Sequence, residues 1–405
     1  MDVLVSKQQD LVIESSVLVW ARRSLGLTIE DAVKQTKLDK KLLEEWEQSS
    51  SPISVTHLKK LSKAYKRPVT AFFLERPPEG IFPPDFRTLD SIQTDKVSKE
   101  ARLAIRRAQR NRIFYTELIQ NDRKYKKDIS ISDEILLLAQ QFRKAIGIDT
   151  QAQSKWEDEN HALSEWIDGV EKLSVPVFQL SLPLEEFRGF CLKGNDLVPA
   201  IVINQRDFPR GRIFTLFHEL YHVFLRQEDI DSLQQSKGVT ETHRIIEAKA
   251  NDFAASFLVP KDVFLGMTEV QAYVKTKDVQ NISKIKKFFN VSEDVIYRRL
   301  KTFNLITEQE YKLKQEELKK LYARLRAEKK AKQEKSEKPF IPNFHREVAY
   351  KTGFDLGKKA FDAMGQGRVS AYDLVNFFGV KTNNLQKVKK YIDQHYAGRK
   401  GRTKT

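Results

Sequence analysis

Residues 214–225 read FTLFHELYHVFL, with histidines at 218 and 222 and a glutamate at 219. On a helix, residues four apart lie one turn apart on the same face. His218 and His222 can therefore reach one metal ion, at about 2.0–2.1 Å from each imidazole nitrogen. Glu219 projects beside them, where a carboxylate can take a proton from water. Phe214, Leu216, Phe217, Val223 and Phe224 surround these polar residues. Such flanks mark a buried helix rather than a solvated face with two ordinary histidines. Burial dries the site and strengthens the pull of a cation on water and on a carbonyl.

Two histidines do not complete a catalytic zinc site, which needs a third protein ligand and an open position. Downstream, His243 and Glu247 are the candidates. Glu247 opens EAKANDFAASFLVP (residues 247–260), where Ala250, Ala254 and Ala255 permit close packing against a neighbouring helix. Asn251 lies four residues on and can hydrogen-bond a ligand. Spacing favours Glu247, although a carboxylate near a helix N-terminus is also stabilised by the helix dipole. Tyr221 and His243 are candidates for steadying an oxyanion.

The run RGRIFTLFHELYH (residues 210–222), followed by EAKANDFAASFLVP, closely resembles the ImmA/IrrE family of bacterial metallopeptidases. The similarity covers about residues 160–265. It implies a zincin-like domain in which His218, His222 and Glu247 bind zinc and Glu219 is the base. Tyr221 stands where the family commonly has a small residue. Known members cut a partner repressor, which relieves repression of mobile elements or stress genes.

Upstream, residues 18–74 read as five short helices. Gly26 ends the first, and Thr28 with Asp31 suits a capping box at the second. The third runs over about 39–47, Ser54 caps the fourth, and Pro68 opens the fifth. The segment LGLTIEDAVKQTKLDKKLLEEWEQ (residues 25–48) resembles the Xre/Cro-like repressor fold, a helix-turn-helix. That fold places its third helix in the major groove. Here the helix offers Lys40 and Lys41 to phosphates, but also Glu44 and Glu45, which phosphates repel. Operator binding and docking of a protein both stay open.

A stiff Pro-rich joint follows, including PDFRTL (Pro84–Leu89), then the basic helix KEARLAIRRAQRNRIFYTEL (residues 99–118) within a helical stretch expected over 97–127. Its Arg106, Arg107, Arg110 and Arg112 read as a solvated face more readily than as a phosphate grip. Helices are expected over 133–145, 160–172, 211–226 and 241–258, and strands over 175–180, 187–192 and 198–203. A second short pair of helices, capped by Ser292, spans 282–305. Residues 307–338 are Lys/Glu-rich and read as an exposed helix fading into a tether, ended by Pro339 and Pro342. Helical periodicity returns over 343–395 before a basic tail, GRKGRTKT.

The expected fold is thus mostly α with a small β-sheet, in several domains. Residues 1–76 form the helix-turn-helix domain and 77–158 the joint and basic linker. The zincin-like peptidase spans 159–306, the charged tether 307–340 and a helical C-terminal module 341–405. The chain of 405 residues carries a net charge of +16, which raises the odds of nucleic-acid or acidic protein partners. Its single cysteine, Cys191, rules out an intrachain disulfide framework. It has no run long enough to span a membrane and no secretion signal at its start, so the cytoplasm is expected.

Two functions are expected from this reading. One is a zinc-dependent endopeptidase coupled to transcription, cutting a partner regulator. The other is an antitoxin and autoregulator whose peptidase-like domain mainly binds a nuclease-like toxin. The number of copies, a homodimer included, stays open.

Overall fold

The computed structural model describes residues 10–78, 97–119, 134–194, 197–226, 237–334 and 343–400, with Ser130, Ile230 and Gln234 besides. The PDFRTL joint, Pro339, Pro342 and the last five residues of the basic tail lie outside them. The chain divides into two compact units, Met1–Gln109 and Arg110–Thr405.

The first unit begins with β1 (Asp10–Val12), α1 (Ser15–Arg23), α2 (Ile29–Thr36) and α3 (Lys40–Gln48). It continues with β2 (Pro52–Ser54), α4 (Val55–Tyr65) and a 3-10 turn (Val69–Phe73). The caps explain where these helices start. Thr28 and Asp31 form the full capping box at α2, Asp39 caps α3 and Ser54 caps α4. Leu18, Leu43, Trp46, Leu58, Leu61 and Phe72 form the core. Arg22 on α1 grips Glu47 on α3 through two hydrogen bonds of 2.7 and 2.6 Å. The strand pair, in which Leu11 faces Ile53, was not expected, because three residues are too short to show alternation.

The helix α5 (Lys99–Leu118) starts in the first unit and ends in the second. Arg106 and Arg112 make specific hydrogen bonds to the protein rather than standing on a solvated face, while Arg110 is exposed. Arg106 donates to Lys66 O at 3.0 Å and Ser24 Oγ at 2.7 Å. Arg112 donates to Val198 O at 2.7 Å.

The second unit holds α6 (Ile135–Ile146), α7 (Thr150–Ser154) and α8 (Glu159–Glu171), then β3 (Val177–Leu180), β4 (Gly189–Leu192) and β5 (Ala200–Asn204). The strand order is β3-β5-β4, with β3 parallel and β4 antiparallel to β5. Every residue of the central strand is buried, which suits its branched residues Ile201, Val202 and Ile203. Next come α9 (Pro209–Phe224) and α10 (Val239–Leu258). Trp166 of α8 lies edge-on to Phe217 of α9 at 5.1 Å and to Phe257 of α10 at 5.4 Å, so one aromatic knot joins three helices.

Four helices follow: α11 (Lys261–Gly266), α12 (Thr268–Thr276), α13 (Val279–Phe289) and α14 (Glu293–Thr302). Ser292 sits at the α14 cap position, but its side chain makes no capping bond. The next helix, α15 (Glu308–Glu334), differs from the exposed tether expected. Tyr311 and Leu318 are 4% and 7% exposed and belong to the same core as α9, the helix of the His-Glu-x-x-His (HExxH) pattern. A few inward positions, Tyr311, Leu318 and the partly buried Tyr322, separate a docked helix from a free one, and its dense Lys/Glu composition hides them.

The C-terminal residues form α16 (Phe344–Thr352), α17 (Phe354–Gly365), α18 (Ala371–Phe378) and α19 (Thr382–Lys400). They share a core of their own, centred on Leu374, Val388 and Ile392. The turn between α16 and α17 comes so close to β3 that a Cβ on Gly353 would stand 2.9 Å from Val177 O. Gly353 also has φ +88°, so only glycine fits there without strain. Among the described residues, no helix is long and apolar enough to cross a membrane.

Candidate metal centre

Pro209 occupies the first turn of α9, where its missing N–H costs nothing. Ile213, Leu216, Phe217 and Leu220 are all fully buried and hold the helix in the core. Lys193 closes the other end, donating to His222 O and Leu225 O at 3.0 Å each. This cap was not expected, since Lys193 lies about thirty residues earlier in the chain. A cation there satisfies the last carbonyls and complements the dipole.

Ala250 and Ala254 on α10 are fully buried and let it approach α9 closely. That approach brings Glu247 between the two imidazoles. Its Oε2 lies 3.3 Å from His218 Nε2, and its Oε1 lies 3.3 Å from His222 Nε2. The two Nε2 atoms are 3.1 Å apart. All three ligand atoms fall within 4.8 Å of one another. The side chains of His218, His222 and Glu247 are 16%, 7% and 30% exposed, so the cluster is recessed but open towards Glu247.

The electrostatics fit a cation site. Burial opposes ionisation of Glu247, but hydrogen bonds from His218 and His222 outweigh it and hold the carboxyl well below its usual range. Burial likewise opposes protonation of His218, yet the Glu247 hydrogen bond and the Glu219 charge raise its pKa. Negative charge thus accumulates around two imidazole nitrogens. Two imidazoles with one carboxylate are a donor set that suits zinc and leaves a position for water.

Asn251, one turn beyond Glu247, lies close enough to His218 to help raise its pKa. His243 does not join the cluster. It is half-buried, and its Nε2 has no hydrogen-bond partner among the described residues. Tyr221 is fully buried, with its ring 5.7 Å from that of Phe253. It offers no surface to a substrate, which removes it from the oxyanion candidates. Glu219 is half-buried on α9 beside the histidines.

One site residue was missed in the sequence. A Cβ on Gly189 would come within 2.4 Å of Thr215 Cγ2 and 2.7 Å of Val202 O, with Glu219 Cγ at 3.7 Å. The edge strand β4 can therefore lie against the Glu219 stretch of α9 only because position 189 lacks a side chain. A glycine inside a strand pattern is the signal for such a close approach.

In the first unit, Lys40 is exposed but held by Glu30 at 2.8 Å and Glu44 at 3.6 Å. Lys41 is exposed, and its backbone N–H donates to Asp39.

Residues 170–301 match the family model described as the IrrE N-terminal-like domain, of peptidase family M78. This stretch contains His218, Glu219, His222 and Glu247. A solved structure described as a Mycobacterium tuberculosis transcriptional regulator is similar at 18% identity, with a TM-score of 0.29. That similarity covers 48% of this chain and 51%, about half, of the other. No curated protein matches.

Proposed function

We propose that this protein is a zinc-dependent endopeptidase coupled to transcriptional regulation, and that it cuts a partner regulator such as a repressor. The observation that carries the reading is the convergence of His218, His222 and Glu247 within 4.8 Å, with Glu219 on the same helix as the histidines. The three converging residues would hold the ion. Bound zinc lowers the pKa of water towards neutrality and polarises a carbonyl. Glu219 takes a proton from the water that attacks the peptide carbonyl and returns it to the leaving nitrogen. Asn251 keeps the His218 ring oriented.

Replacing Glu219 with Gln separates binding from chemistry. The full chain with Glu219→Gln is expected to keep its zinc by elemental analysis. Cleavage of the co-expressed partner regulator should fall by roughly 10²–10⁴-fold. Cleavage at the original rate would end this mechanism.

A second reading makes the protein an antitoxin and autoregulator that binds a nuclease-like toxin. The ion pairs that hold Lys40 to Glu30 and Glu44 support it, because they draw the offered charge away from phosphates and leave acids on the same face. Under this reading Glu219→Gln still neutralises the toxin. A mobility-shift titration on the upstream DNA at low salt tests the operator role, and sequence-specific retardation there would favour DNA over protein docking.

A further inference from the structure

A cavity of about 660 Å³ opens beyond the carboxyl ends of β3 and β5, and none of the metal-binding residues lines it. Gln179 of β3, Arg212 of α9, and Arg346 and Tyr350 of α16 meet there. We propose that this cavity binds a small organic anion through a phosphate or carboxylate group held by Arg212 and Arg346.

Arg212 carries the argument. Its Nη1 donates to Gln179 Oε1 at 2.9 Å, while its Nε is buried with no hydrogen-bond partner among the described residues. No carboxylate forms an ion pair with it among those residues. Asp207, close by on the preceding loop, is engaged by Arg188 through one oxygen at 3.2 Å and by Arg326 through the other at 3.1 Å. Arg346 is exposed and stands over the Tyr350 ring at 5.2 Å, also without a carboxylate in the described residues.

The acids that line the cavity leave these guanidiniums unmatched. Asp168 accepts from His395 at 3.3 Å, and Glu347 pairs with Lys351 at 3.3 Å. Glu185 is exposed. A half-buried guanidinium with no carboxylate beside it is costly, and the cost falls when an oxyanion meets its fork of donors.

The surroundings also suit a ligand. Gln179 is only 3% exposed, so its amide is fixed in place. Tyr350 and Phe354 supply aromatic surface for the body of the molecule. The volume is that of ordinary metabolite pockets, about 300–1,000 Å³. An occupant would touch both α16 and the first turns of α9, the helix that carries the metal-binding histidines.

Calorimetric titration of the full chain tests this, using inorganic phosphate and AMP in one arm and citrate in the other. Saturable binding is expected in one arm, which identifies the phosphate or the carboxylate. Arg212→Gln should weaken it roughly 10–100-fold. Because Arg212 lies on the metal-bearing helix, Arg346→Gln serves as the second variant. It should weaken binding roughly tenfold with zinc content unchanged. Glu219→Gln should bind as the parent does, which keeps this result separate from the peptidase reading. No binding in either arm, or equal affinity in parent and both arginine variants, would overturn the proposal.

Discussion

Glu247 shows how a single residue gains its role from its neighbours. In its own helix it is a carboxylate between Ile246 and Ala248, and only the packing of α10 on α9 places it 3.3 Å from both histidines. Glu247→Ala is therefore expected to lose tight zinc binding while the aromatic knot keeps the fold. The rise in Tm on adding zinc, worth about 4 kcal/mol at a thousandfold excess over Kd, should vanish in the variant. A retained rise would remove Glu247 from the ligand set. Glu171 offers a second test at this scale. It is buried at the end of α8, and its Oε1 accepts the Val177 N–H at 3.3 Å. Burial, with the Asp355 charge, pushes its carboxyl well above the usual range, against the pull of Val177 and Lys359. The folded state then holds a proton that the unfolded chain releases above about pH 4.5. Stability from this group is present below that pH and is lost as pH rises towards the folded value. Glu171→Gln should gain Tm relative to the parent as pH rises above about 4.5. A gap that narrows with pH would contradict the assignment.

The elements around the site are held by contacts of very different legibility. The HExxH spacing and the alanines of α10 are local patterns, and both can be read without a structure. The approach of β4 to α9 is not local, because it depends on Gly189 meeting Thr215. Gly189→Ala should push the strand off the helix and destabilise the protein by about 1–3 kcal/mol, measured by denaturant unfolding. Peptidase activity should fall more steeply than stability, since Glu219 lies behind that contact. Unchanged stability would mean that the strand can shift freely. The helix α15 makes the opposite point. Its composition describes a free helix, while the burial of Tyr311 and Leu318 ties it to the core.

For the whole molecule, the division into two compact units makes a separable prediction. Arg22 and Glu47 are 8% and 10% exposed at their side chains and join α1 to α3 inside the first unit. Glu47→Ala leaves a buried guanidinium without its carboxylate, at a cost of about 3–5 kcal/mol. The first unit should then become the preferred target of limited proteolysis, while the zinc content of the second unit stays at the parental value. Loss of zinc in parallel would show that the units do not fold separately.

Much of the mostly helical fold and the caps at Thr28 and Ser54 were legible because each depends on residues within one or two turns of chain. So was the pairing of His218 and His222, since helical period places them on one face, whereas Glu247 joins them only through the packing of α10 on α9. Tertiary structure alone decided which side chains those elements would meet. It sent Arg106 and Arg112 to partners within the protein, buried Tyr221 against Phe253, capped α9 with Lys193 and docked α15. The reason is physical. Helical period and capping are set by backbone geometry a few residues long, whereas burial and the pairing of charge depend on surfaces that meet only after the chain has folded.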